Sequence, residues 1–190
     1  MIFVTVGNAN QGFERLLQTV ERLVAEGFIA NDVLVQAGNN PDFRPLHCKV
    51  VSFLPLAEFE RCVSEAQTII SHAGAGTLIH VLKAGKIPVV MPRRKKYDEH
   101  VDDHQMEIVE VLAAEGRLIP AYEPEDLPTA IAEANRRSAQ QPPPTPVRMI
   151  ELVSQAIEEL LTLRPAANRP IRAVFPSERE MPAENIQKPD

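Results

Sequence analysis

Short apolar runs alternate with amphipathic patterns along this chain, and that alternation restricts its possible folds more than any other feature. Ile2 to Val6, apolar apart from Thr5, stops at Gly7. Phe13, Leu16, Leu17, Val20, Leu23 and Val24 follow at the spacing of one helix face, which Gly27 closes. Val33 to Val35 leads to Gly38, the segment 39–46 reads as loop, and Val50 to Phe53 runs to Pro55. A short helix is predicted over 56–65, a strand over 68–71, a helix over 75–84 closed by Gly85, and a strand over 87–91. A charged loop then leads to a helix over 103–115, a further strand over 117–121 and a helix over 125–137. Continuous apolar strands alternating with helices imply a parallel sheet covered on both faces. We therefore expect a doubly wound α/β domain of about six strands in the order 3-2-1-4-5-6. With 190 residues, 44% of them apolar, such a core can be filled.

The stretch QQPPPTP (140–146) reads as a proline-stiffened linker. Val147, Ile150, Val153, Ile157, Leu160 and Leu161 make a last amphipathic helix, which either packs on the core or docks a partner. From Arg164 onward, prolines and charges replace periodicity, so we expect a domain over 1–163 and a poorly ordered or surface-laid tail over 164–190. A net charge of −6 argues against a general nucleic-acid binder. Cys48 and Cys62 are too far apart for a C-x-x-C site and are expected to be reduced packing residues. No apolar run approaches the ~20 residues of a membrane helix. The start, MIFVTVG, lacks the positive region of a leader, so the expected location is the cytoplasm, with docking on a membrane partner left open.

Right-handed crossovers place every strand-to-helix loop on one edge of such a sheet. That edge collects Gly7-Asn8, Gly38-Asn39, Phe53-Leu54-Pro55, His72 to Thr77 and Pro92 to His104. The segment SHAGAGT stands out among them. A helix beginning near Ala75 presents unpaired N–H groups and a positive dipole end, and Gly74 and Gly76 remove side chains that would block an approaching anion. Ser71, His72 and Thr77 add side-chain donors. By pattern alone the two glycines serve equally well as a tight turn with close helix–sheet packing. The segment has neither the Walker lysine nor the full G-x-G-x-x-G.

Taken together, IFVTVG, VLVQAG, SFLP, SHAGAGT, GKIPVVMPR, DDHQ and PVRMIELVSQAIEEL resemble the donor-binding, Rossmann-like half of GT-B glycosyltransferases, of the family-28 C-terminal domain type. More narrowly, they are similar to the soluble subunits of two-component transferases in dolichol-linked oligosaccharide and exopolysaccharide synthesis. The resemblance spans residues 1–162 and is most specific over 68–105. It implies a UDP-sugar donor, an inverting and metal-independent reaction, no cofactor, and a membrane-anchored partner that binds a lipid-linked acceptor. By the same resemblance His72 contacts the diphosphate. The N–H groups of Gly74, Ala75, Gly76 and Thr77, with the Thr77 hydroxyl, hold the β-phosphate. Backbone groups of Phe53 and Leu54 meet the uracil, His104 and Gln105 meet sugar hydroxyls, and Gly7 and Asn8 line the cleft near the transferred sugar. The family's acidic ribose-binding residue, eight positions after the motif histidine, is replaced here by His80, which cannot clamp a diol with two oxygens. No catalytic base is identified.

Rival readings concern the charged loop. His100 and His104 could share a metal if their segment were helical, but the flanking sequence reads as loop and no metal site is expected. Glu99 to His104 would otherwise be a solvated loop leading to a helix N-cap at Asp102 or Asp103. Arg93 to Lys96 reads as a solvated basic loop, or as a contact for phosphate or anionic lipid. A small hydrolase using the His/Asp loop and a non-catalytic nucleotide-sugar-binding module are the competing functions.

Overall fold

The computed structural model describes residues 1–29 and 32–138. The predicted linker, the last amphipathic helix, the boundary at 163/164 and the tail lie outside the described residues. Strands β1 (Ile2–Thr5), β2 (Val33–Gln36), β3 (Lys49–Val51), β4 (Thr68–Ser71), β5 (Val89–Val90) and β6 (Ile119–Pro120) form a parallel sheet in the order β3-β2-β1-β4-β5-β6. Helices α1 (Glu14–Ala25), α2 (Leu56–Glu65), α3 (Ala75–Lys83), α4 (His104–Ala114) and α5 (Leu127–Ser138) cover both of its faces. The predicted order is therefore the observed one.

The side chains of β1 divide the core between the faces. Ile2 and Val4 pack with Leu16, Leu17 and Val20 of α1 and Ile131 of α5. Phe3, pointing the other way, packs with Phe59 and Val63 of α2 and Ile69 of β4. This is the period-two alternation of a strand buried on both sides. Leu78 and Leu82 of α3 meet Val109 and Leu112 of α4 beside Val90.

Differences from expectation lie at the sheet margins. β3 is an edge strand with Lys49 and Val50 exposed, and it ends earlier than predicted. The carbonyls of Val51, its last residue, and of Ser52 just beyond accept from Ala37 and Gly38, and Phe53 next to them is exposed. β5 is shorter than the apolar run because Pro88 and Pro92 bracket it and neither has an N–H for the ladder. The helix predicted over 125–137 is split into a 3-10 turn, Pro124–Asp126, and α5. Asp126 Oδ2 accepts from the backbone N–H groups of Tyr122 and Glu123 and fixes that entry.

β1 and β4 are neighbours, in register from Ile2↔Thr68 to Thr5↔Ser71. The connections leave these two strands in opposite directions across the sheet, so a crevice opens beyond their C-terminal ends. That topological reversal is where open α/β sheets bind ligands.

Candidate functional site

A cleft of about 560 Å³ occupies this crevice. Its floor is the loop after β1, where Gly7, Asn8 and Ala9 lie beside His72. Gly7 adopts a φ of +70°, and a Cβ there would run into the His72 ring, 2.5 Å from Nε2. A Cβ on Gly74 would strike the same ring. The imidazole therefore occupies the space that a side chain at Gly7 or Gly74 would need. Asn39 reinforces the floor by donating from Nδ2 to the carbonyls of Asn8 (3.2 Å) and Ala9 (3.0 Å).

One wall is the start of α3. Gly74, its N-cap, makes no side-chain capping bond, and no acidic residue stands in the first turn. Gly74, Ala75, Gly76 and Thr77 all line the cleft, and a Cβ on Gly76 would meet nothing within 4 Å. The amides at this end thus face open space with no charge of the protein's own to compete for them, a ready site for an anion.

His72 is 7% exposed, and burial together with the nearby Arg93 cation pushes its pKa down to about 3. It is a neutral imidazole at physiological pH, with Nδ1 buried in the protein. Gln105, at the start of α4, accepts on Oε1 from the backbone N–H of Ala73 (3.2 Å) and of Arg93 (3.0 Å). It ties the β4–α3 loop to the loop after β5 while still lining the cleft. Ser71 is corrected. It is fully buried, its hydroxyl donates to the His72 carbonyl at 2.8 Å, and it does not line the cleft.

Phe53, Leu54, Leu56 and Gln36 also line the cleft. Gln36 Nε2 donates to Thr5 Oγ1 (3.3 Å) and its Oε1 accepts the Leu54 N–H (3.2 Å), so that N–H is already engaged within the protein. Sequence reasoning missed Gln36. Its signal was a polar residue closing the apolar run of VLVQAG. His80 lines the cleft from α3, with Nδ1 3.2 Å from Glu60 Oε1 on α2 and its ring edge-on to Phe59. A carboxylate thus stands beside His80, supplied by the neighbouring helix. His100 and His104 complete the lining.

In the basic run Lys95 and Lys96 are exposed, as a solvated loop requires, and Arg93 departs from both expectations. Arg93 is fully buried and donates to four backbone carbonyls, those of Val6, Gln11, Gly12 and Glu99, while lying 4.6 Å from the Phe13 ring centre. It is a strut under the floor of the cleft. Arg94 and Lys96 face Glu123. Cys48 and Cys62 are free thiols, and burial raises both, Cys48 to about 12 with Glu21 alongside, so they stay protonated. A second depression, between α1 and the 39–47 loop, is larger at about 680 Å³, but it is lined by opposed charges such as Glu14, Glu21, Arg22 and Arg44 and receives no α3 amide.

Among the described residues no helix is long and apolar enough to cross a membrane. Residues 1–160 match the glycosyltransferase family 28 C-terminal domain. The chain is 30% identical over 129 residues to the UDP-N-acetylglucosamine transferase subunit ALG13 of Yarrowia lipolytica, covering 63% of each protein. Two solved structures share the fold at low identity. The glycotransferase of kitacinnamycin is 18% identical with a TM-score of 0.53, over 85% of this chain and 39% of that one. MurG of Acinetobacter baumannii is 21% identical with a TM-score of 0.50, over 82% of this chain and 49% of that one. The chain spans less than two thirds of the length of each of these relatives.

Proposed function

Because the chain belongs to the glycosyltransferase family 28 C-terminal domain family, we propose that it is the donor-binding subunit of a UDP-sugar glycosyltransferase. The sugar is a hexose, with N-acetylglucosamine favoured over glucose and glucuronic acid by the name of the fungal relative. The acceptor is lipid-linked and held by a membrane-anchored partner. The word "subunit" in that relative's name supports such an assembly. The observation that carries the reading is the uncapped, acid-free start of α3, opening on a cleft at the β1/β4 reversal.

In this reading the amides of Ala75, Gly76 and Thr77 grip the β-phosphate. The neutral His72 offers one N–H to the diphosphate without the cost of a buried cation. The Phe53 backbone and the Leu54 carbonyl meet the uracil, since the Leu54 N–H is taken by Gln36. His80, donating from Nδ1 to Glu60, presents Nε2 as an acceptor for one ribose hydroxyl. The Gln105 amide nitrogen and His104 reach the sugar above Gly7 and Asn8. The acceptor hydroxyl attacks the anomeric carbon from the face opposite UDP and inverts it, the bond from that carbon to the UDP oxygen breaks, and the hydroxyl proton passes to a base on the partner's side of the cleft or to water. Charge growing on the departing UDP is met by dipoles already in place.

A second reading, a nucleotide-sugar-binding module without catalysis, draws on His80 standing where an acid is expected. Calorimetry with UDP and UDP-GlcNAc tests the first. Wild type should bind both, and His72→Ala should weaken binding by about 1–3 kcal/mol, the scale of a hydrogen bond to a charged acceptor. No binding by wild type, or equal binding by the variant, overturns the assignment. Binding without transfer in membranes that carry the partner favours the second reading.

A further inference from the structure

The expectation that His100 and His104 could meet only on a helix does not hold. The chain between them is a series of turns ending at α4, yet their rings lie 4.6 Å apart between centres and edge-on. Asp102 stands with them. Its Oδ1 is 3.2 Å from His100 Nδ1 and in contact with His104 Nδ1. Each of the three residues offers one ligand atom, and these atoms all lie within 4.8 Å of one another. All three are half-buried, and both histidines line the cleft.

The neighbouring acids are drawn elsewhere. Glu99 forms a two-point pair with Arg15, at 2.9 and 2.8 Å, and also accepts the Arg94 N–H. Asp103 accepts the Lys95 N–H. Of the five titratable residues Glu99, His100, Asp102, Asp103 and His104, the two imidazoles and the Asp102 carboxylate converge.

We propose that His100, Asp102 and His104 form a binding site for a first-row divalent transition ion, with zinc the representative, whose remaining coordination positions open toward the cleft. Two imidazoles and one carboxylate suit such ions, whereas magnesium and calcium favour oxygen ligands throughout. Three protein ligands with a free position are the pattern of sites that take water or a substrate group as the fourth ligand. The ligand atoms already lie within 4.8 Å of one another. A bound ion would engage His104, which the proposed function places at the sugar, whereas the α3 amides are not among its ligands. This inference stands without the nucleotide assignment.

The test is equilibrium dialysis of the tag-free full chain against Zn²⁺, with Co²⁺ absorption in the visible as a second readout of coordination. Wild type should take up one ion. His104→Ala and the near-isosteric Asp102→Asn should each weaken uptake by more than about tenfold, and His47→Ala, an exposed histidine paired with Glu21, should leave it unchanged. Circular dichroism of each variant separates ligand loss from misfolding. Zinc uptake that is absent in wild type, or equal in Asp102→Asn, overturns the site. UDP binding that persists in that case leaves the proposed function intact. Zinc uptake with no UDP binding leaves the site standing and removes the nucleotide reading.

Discussion

The His72 imidazole lies where side chains on Gly7 and Gly74 would begin, so neither position admits a Cβ unless the ring moves. The same confinement removes water from the ring and holds its pKa near 3, against the ordinary 6.5 of a histidine. Between those two values the unfolded chain binds a proton that the folded chain does not. Stability must therefore rise with pH across this window and be lost as pH falls from 6.5 toward 3. The slope from this one group is about 1.4 kcal/mol per pH unit. Urea denaturation between about pH 4 and 6 should show a slope in wild type that exceeds that of His72→Asn by up to this amount, the difference fading as pH nears 6.5. Equal slopes would mean that His72 is protonated, or solvated, in the folded protein.

At the scale of elements, α3 carries two glycines with different duties. Gly74 yields space to His72, whereas Gly76 faces empty cleft. Gly76→Ala should therefore leave the fold intact, and better helix propensity should stabilise it by up to about 1 kcal/mol. Its methyl group would nonetheless intrude where a phosphate approaches, so UDP affinity should fall. Thermal melting and calorimetry on the same variant check both halves. Reduced stability with unchanged affinity would return Gly76 to a packing role. The sequence made α2, β4 and α3 legible, since 56–65 and 68–71 are bounded as predicted and 75–84 differs by one residue. It misjudged β3 and β5, because apolar runs report burial and not hydrogen-bond pairing. An edge strand and a pair of prolines shorten the ladder without altering the run.

For the whole molecule, the order of strands decides where chemistry can occur. Residues far apart in sequence, Gly7, Phe53, His72, His80 and Gln105, share one cleft because β1 and β4 are adjacent at the reversal. That much followed from counting alternating units and applying crossover handedness. Arg93 could not be read this way. A cation within a basic run looks solvated, and only three-dimensional closure reveals that four carbonyls from three segments require it. The convergence of His100, Asp102 and His104 was likewise hidden, because loop geometry has no period to read.

Amide chemical-shift mapping by NMR during titration with UDP tests the central assignment most directly. We expect the largest shifts at Gly74, Ala75, Gly76 and Thr77, with smaller ones at Gly7, Asn8 and Phe53. Shifts centred on the depression between α1 and the 39–47 loop, or none at the start of α3, would contradict it.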